Sequence, residues 1–154
     1  MIRVVLTVLV AVALLAASMP AVETARTATT SERIGAEADR LERAIGGVVA
    51  GSAPVSDPAM AAQTTVLLRV PTGFAAADVD RVALVESPDR PGGLALAYRI
   101  DDRPERTIRV GTGPAETAVD LAGGAIELRP GGANRVRVRY VDDGGPTVRI
   151  GRIG

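Results

Sequence analysis

Hydrophobic residues follow three successive patterns along this chain, and each pattern predicts a different kind of element. From Val4 to Ala17 every residue except Thr7 is apolar, which is typical of a membrane-inserted helix or an export signal. From Ile34 to Val48 apolar residues recur at every third or fourth position, which predicts an amphipathic helix. Beyond Gln63 the apolar period changes to two, which predicts β-strands.

The apolar N-terminal segment has two competing interpretations. Counted through Met19, it has about sixteen residues, or roughly 24 Å of helix, which is short for a membrane span but tolerable. A secretory signal peptide fits as well, because small residues precede a possible cleavage site near Ser18. We therefore predict that residues 1–21 are a membrane anchor or a signal peptide. With Arg3 on the cytoplasmic side, the rest of the chain would be extracytoplasmic.

Residues 22–50 are predicted to form the amphipathic helix. Thr29 and Glu32 are spaced like a capping box, so this helix begins separately, or a single helix kinked near Pro20 includes both segments. Gly46 and Gly47 are a plausible stop. We expect the apolar stripe to pack against a partner helix or the chain's own β domain. Its members are Ile34, Ala38, Leu41, Ile45 and Val48, with Ile34, Leu41 and Ile45 as the candidate partner-binding residues.

The remainder of the chain is predicted to be a linker, residues 51–63, followed by a β domain, residues 64–154. Turn signals recur every eight to twelve residues, and Asp143-Gly144 is typical of a hairpin turn. The expected fold class is α+β, with an antiparallel β-sandwich or a partly closed barrel after the helical region. The candidate strands are 66–70, 79–86, 94–100, 106–110, 116–121, 125–129, 135–141 and 147–151.

Composition excludes several classes of function. The chain has no Cys, no His and no Lys, which removes thiolate and histidine metal sites, the Ser-His-Asp triad and the phosphate-binding P-loop. Its net charge of zero and three aromatic residues argue against a nucleic-acid partner. The segment GTGPAE at 111–116 begins like a dinucleotide-binding loop but ends in Glu instead of a small residue. We expect no enzymatic activity, no cofactor and no small-molecule substrate.

Two groups of charged residues remain as candidates for binding. Arg135, Arg137 and Arg139 alternate with apolar residues and therefore lie on one face of a strand, where they either pair with acids of a neighbouring strand or hold an anionic ligand. The acidic pairs Asp101-Asp102 and Asp142-Asp143 adjoin predicted turns, where Asp is favoured for local hydrogen bonds. Calcium binding is the alternative for these acids.

The order of an apolar helix, an amphipathic helix and a β domain resembles that of type IV pilin-like subunits. More specifically, MIRVVLTVLVAVALLAASMPAVETAR, ADRLERA and the β-rich tail resemble a haloarchaeal family of uncharacterised membrane-anchored proteins. That resemblance implies genes located beside type IV pilus or secretion-like ATPase genes, and it implies no catalytic residue. Because Val4–Ala17 lacks an acid and Met1–Arg3 is too short for a pilin leader, it implies an accessory protein instead of a filament-forming pilin.

Two functions therefore stand as expectations. The first is a non-enzymatic, membrane-anchored accessory or structural protein of a cell-surface assembly, with pilus or secretion-like proteins as partners. The second is a secreted or tethered module that binds an anionic or calcium-bridged ligand.

Overall fold

A single long helix leads into two four-stranded sheets in the computed structural model, which describes residues 1–153. The helix, α1, includes Ile2–Ala50. The eight strands are β1 (Ala62–Arg69), β2 (Val79–Glu86), β3 (Leu94–Ile100), β4 (Arg106–Val110), β5 (Ala118–Leu121), β6 (Ile126–Glu127), β7 (Ala133–Asp142) and β8 (Pro146–Arg152).

Helix α1 is continuous through every position where the sequence suggested a break. Pro20 lies inside the helix, and Thr29 and Glu32 lie in its middle instead of capping a new one. The predicted stop at Gly46-Gly47 is wrong, because α1 continues for another turn and ends at Ala50. Two helical glycines cost about 2 kcal/mol relative to alanine, and burial of Val49 in the core offsets that cost.

The strands form two separate sheets in the orders β1-β7-β8-β5 and β4-β3-β2-β6. Every strand pair is antiparallel except β5 with β8, which is parallel. The sheets do not close into a barrel, so the sandwich alternative of the predicted α+β fold is the observed one. Strand β1 begins at Ala62, and Val55 before it forms an isolated bridge with Val141, so the connecting segment is partly attached to the first sheet.

The second half of α1 completes the hydrophobic core of the β-sandwich. Inner residues of both sheets and one face of the helix form a single cluster, in which Leu41 and Ile45 are fully buried. The helix lies against β1, the edge of the first sheet, and β4, the edge of the second. It therefore fills the side of the sandwich on which both sheets end.

Polar side chains of α1 satisfy backbone groups at these two edges. A carboxylate oxygen of Glu37 accepts a hydrogen bond from the N–H of Arg69 at the end of β1 (3.2 Å). On the opposite side, a carboxylate oxygen of Glu42 accepts one from the N–H of Gly111, directly after β4 (2.9 Å). Exposed strand edges invite pairing with other chains, and α1 packs against one edge of each sheet.

Candidate functional site

The first half of α1 presents an apolar surface that no other part of the described chain covers. We call residues 4–22 the anchor segment. These nineteen residues include no charged side chain, and all of them are exposed. Because the helix continues through Pro20, the segment is about 28 Å long, close to the roughly 30 Å hydrocarbon core of a bilayer. The helix is therefore long and apolar enough to be a membrane span, and its N-terminal position also suits a signal sequence.

Polar side chains within the anchor segment bond to the helix itself. The hydroxyl of Thr7 donates to the carbonyl oxygen of Arg3 (2.8 Å), and the hydroxyl of Ser18 donates to that of Leu15 (2.9 Å). A hydroxyl without a partner is costly in hydrocarbon, and both groups avoid that cost without water. These residues are thus compatible with a lipid environment.

The predicted partner-binding stripe lies inside the chain's own core. Ile34 is 2% exposed, and Leu41 and Ile45 are not exposed at all. Of the two expectations for this stripe, packing against the β domain is what the structure shows, so these residues offer no surface to a partner helix. The stripe ends at Val49 instead of Val48, which is only half-buried.

The arginine row lies on the outer face of the first sheet, where β7 is flanked by β1 and β8. Arg135, Arg137 and Arg139 face outward, alternating with the buried Val136 and Val138. The residues opposite them on β1 are Leu67, Thr65 and Gln63, and those opposite Arg137 and Arg139 on β8 are Gly151 and Arg149. No acid therefore stands directly across from the row. Arg139 donates instead to the side-chain oxygen of Gln63 (3.2 Å).

A shallow groove of about 210 Å³ runs beside this row, with Gly151 in its lining. Its other lining residues include Arg149, which forms ion pairs with Asp120 (2.6 Å) and Asp143 (2.7 Å). The hydrogen bond to Asp120 raises the pKa of Arg149 above its ordinary value. Among residues 1–153, the three remaining arginines of the groove form no ion pair, so the groove has an excess of positive charge. They are Arg137, Arg139 and Arg152.

The chain thus consists of one continuous helix, apolar in its first part and amphipathic in its second, followed by a two-sheet β domain. Residues 1–153 match a family described as "Domain of unknown function (DUF7311)". The chain belongs to this family. No curated protein and no solved structure is significantly similar to it.

The acidic pairs of this DUF7311 chain lie at turns and bond to groups within the turn or on neighbouring elements. Asp101 and Asp102 have positive φ angles of 51° and 56°, a conformation that Asp tolerates better than most residues. The carboxylate of Asp101 accepts hydrogen bonds from the N–H of Asp78 (3.2 Å) and the hydroxyl of Thr27 (3.2 Å). Asp142 accepts one from the N–H of Gly145 (2.9 Å) within the β7–β8 turn. Within residues 1–153 no group of three or more potential ligands is arranged to hold a metal ion.

The GTGPAE segment of the DUF7311 chain packs against α1. A side chain at Gly111 would lie 2.8 Å from the carboxylate of Glu42, and one at Gly113 would lie 3.2 Å from Val49. These glycines therefore permit a close approach between the loop after β4 and the helix.

Sequence reasoning missed two members of the arginine groove, Arg149 and Arg152. Arg149 alternates with Val148 and Ile150 in a predicted strand, which was a signal that it faces outward. Its position beside Arg139 depends on the β7–β8 register, which the hairpin turn at Asp143-Gly144 would have given.

Proposed function

We propose that this DUF7311 protein is a non-enzymatic, single-pass membrane protein that serves as a pilin-like accessory or structural subunit of a cell-surface assembly. The observation that carries the proposal is the division of one continuous helix into two environments. The anchor segment is wholly exposed and uncharged, whereas the stripe from Ile34 to Val49 is part of the core of the β domain. An apolar surface of this length is stable only when lipid or another apolar surface covers it.

We propose that the anchor segment is retained and not cleaved near Ser18, because α1 is continuous across that position. Cleavage there would remove most of the exposed apolar surface and leave a helix from Met19 projecting from the β domain, with residues 19–26 ahead of its first buried residue, Thr27.

The haloarchaeal resemblance adds the expectation that the gene lies beside pilus or secretion-like ATPase genes. The absence of His, Cys and Lys supports the non-enzymatic assignment, because it removes the commonest general bases and nucleophiles.

Intact-mass measurement of the mature protein tests retention of the anchor. We expect the mass of the uncleaved chain in the membrane fraction, resistant to extraction by alkaline carbonate. A mass that lacks residues 1–18, together with protein in the culture medium, would instead identify a secreted domain.

Cysteine labelling tests the side of the membrane, and the chain has no native Cys to interfere. Met60 and Ile2 are both exposed and lie toward opposite ends of the helical rod, so Met60→Cys and Ile2→Cys form a matched pair. A membrane-impermeant maleimide should label the first variant in intact cells and the second only after permeabilisation, because Arg3 favours the cytoplasmic side. The reverse pattern would contradict the proposed orientation.

Binding of an anionic ligand is a second candidate function, favoured by the unpaired arginines of the groove. Arg137→Ser, combined with Arg135→Ser and Arg139→Ser, should reduce the salt concentration needed to elute the protein from a sulfated polysaccharide resin. A control with the same loss of charge carries serine at Arg33, Arg103 and Arg106, which are exposed and distant in sequence from the row. Equal elution of the two triple variants would show that only overall charge matters and would refute a site at the groove.

A further inference from the structure

Phe74 stands apart from the other aromatic residues because it has no place in the core. Tyr98 and Tyr140 are each 6% exposed, whereas Phe74 is 90% exposed. Within residues 51–153, Met60 is the other large apolar side chain that is exposed. Phe74 lies in the connection between β1 and β2, where residues 71–77 include no charge. The β domain therefore presents an uncharged loop with an aromatic tip.

This loop is attached to α1 and extends toward the anchor segment. The N–H of Ala77 donates to the hydroxyl oxygen of the buried Thr30 (2.9 Å), and the N–H of Ala76 donates to the carbonyl oxygen of Gly73 (3.0 Å). The guanidinium carbon of Arg26 lies 4.8 Å from the centre of the Phe74 ring. Arg26 is one helical turn closer to the N-terminus than Thr30, so the tip of the loop projects in that direction.

The height of Phe74 along the helix matches the headgroup layer of a bilayer. Arg26 follows Val22, the last residue of the anchor segment, by four residues, or about 6 Å of helix. Headgroups add about 5–7 Å on each side of the hydrocarbon core. A ring held beside Arg26 is therefore within reach of the lipid surface once the anchor segment spans the membrane.

The chemistry of this pair suits a phospholipid surface. An aromatic ring is stable at the boundary between acyl chains and headgroups, and a guanidinium group can bond to lipid phosphate while it remains over the ring. A second loop beside this part of α1, residues 101–105, carries Asp101 and Asp102, whose charges favour water. Of these two loops, only the one with Phe74 has an apolar tip.

We infer that Phe74 and Arg26 form a second membrane contact, in which the β1–β2 loop inserts its tip into the headgroup layer beside the anchor segment. The inference rests on the proposed membrane anchor. It assigns a membrane-facing side to the β domain and fixes the rotation of that domain relative to the lipid surface.

Tryptophan fluorescence tests this contact in the full-length protein, because the chain has no native Trp. Phe74→Trp is compared with Met60→Trp, whose side chain is exposed but lies after the far end of α1, about 40 Å along the helix from Val22. Both variants are reconstituted into phosphatidylcholine vesicles whose acyl chains are brominated close to the carbonyl end. Flotation of the vesicles reports the anchor independently, and thermal melts establish that both variants fold like the parent protein.

The expected result is that the Phe74→Trp variant loses most of its tryptophan emission in brominated vesicles and emits at shorter wavelength, while the emission of the Met60→Trp variant is unaffected. Flotation without quenching of the Phe74→Trp variant would overturn the loop contact and leave the anchor intact. Equal quenching of both variants would also overturn it, because the domain would then lie on the lipid without a preferred face. Failure of the protein to float would refute the anchor and the contact together.

Discussion

Truncation of one buried leucine of α1 tests whether the helix is an integral part of the β domain. Leu41 is fully buried at the centre of the helical stripe, whereas Leu14 is 66% exposed in the anchor segment. Leu41→Ala and Leu14→Ala therefore make the same chemical change on the same helix and differ in burial. Replacement of a buried leucine by alanine costs about 3 kcal/mol, which includes the cavity it leaves.

This loss of stability predicts a measurable decrease in the urea concentration at which half of the detergent-solubilised protein is unfolded. With a slope of about 2 kcal/mol per molar urea, a loss of about 3 kcal/mol lowers the unfolding midpoint by about 1.5 M. The buried Tyr98 and Tyr140 supply the fluorescence signal, and far-UV circular dichroism provides a second probe. Leu14→Ala should leave the midpoint of the β domain unchanged.

A small effect of Leu41→Ala would refute this reasoning. If the two variants unfolded within about 0.5 kcal/mol of each other, the size of an ordinary surface substitution, α1 would not contribute to the core. Early loss of helical signal, before the tyrosine signal changes, would likewise show that the helix and the sheets unfold independently.

Three further substitutions probe the contacts of α1. Gly46→Ala should raise the free energy of unfolding by about 0.8 kcal/mol, because nothing lies within 4 Å of the added carbon; thermal melts measure this. Thr30→Val should lower it by about 1–3 kcal/mol, since the N–H of Ala77 loses its acceptor, and Thr29→Val serves as control. Gly111→Ala should lower it by about 1 kcal/mol by displacing the Glu42 carboxylate from its hydrogen bond; an unchanged midpoint for either destabilising variant would contradict the assigned bond.

Most of the fold could be predicted from the spacing of apolar residues, because burial of one face of a helix or strand imposes a regular spacing on the sequence. The alternation of arginine and valine in residues 135–139 matches β7, and the stripe from Ile34 to Ile45 is the buried face of α1. The turn at Asp143-Gly144 was predicted from residue type, and it connects β7 to β8. Each of these features depends on local sequence.

Features that depend on distant contacts were not predictable in the same way. Local propensity marked Gly46-Gly47 as a stop, yet packing of Val49 and the other stripe residues stabilises α1 to Ala50. The parallel pairing of β5 with β8 joins segments about 30 residues apart, and no local signal specifies its direction. Likewise, whether acids oppose the arginine row on its other side depended on the pairing of β7 with β1, a strand about 70 residues away in the sequence.

The enclosure of α1 between β1 and β4 has a mechanical consequence. A tensile force applied to the N-terminal end of the helix acts along the same rod that lies between the two sheets, so the load reaches the middle of the domain directly. Withdrawal of the helix would shear the contacts of Ile34, Leu41 and Ile45 together and uncover both sheet edges. When several contacts bear a force together, each bears only part of it, so a larger force is needed to separate them than if they broke one after another. The domain should therefore resist withdrawal of α1.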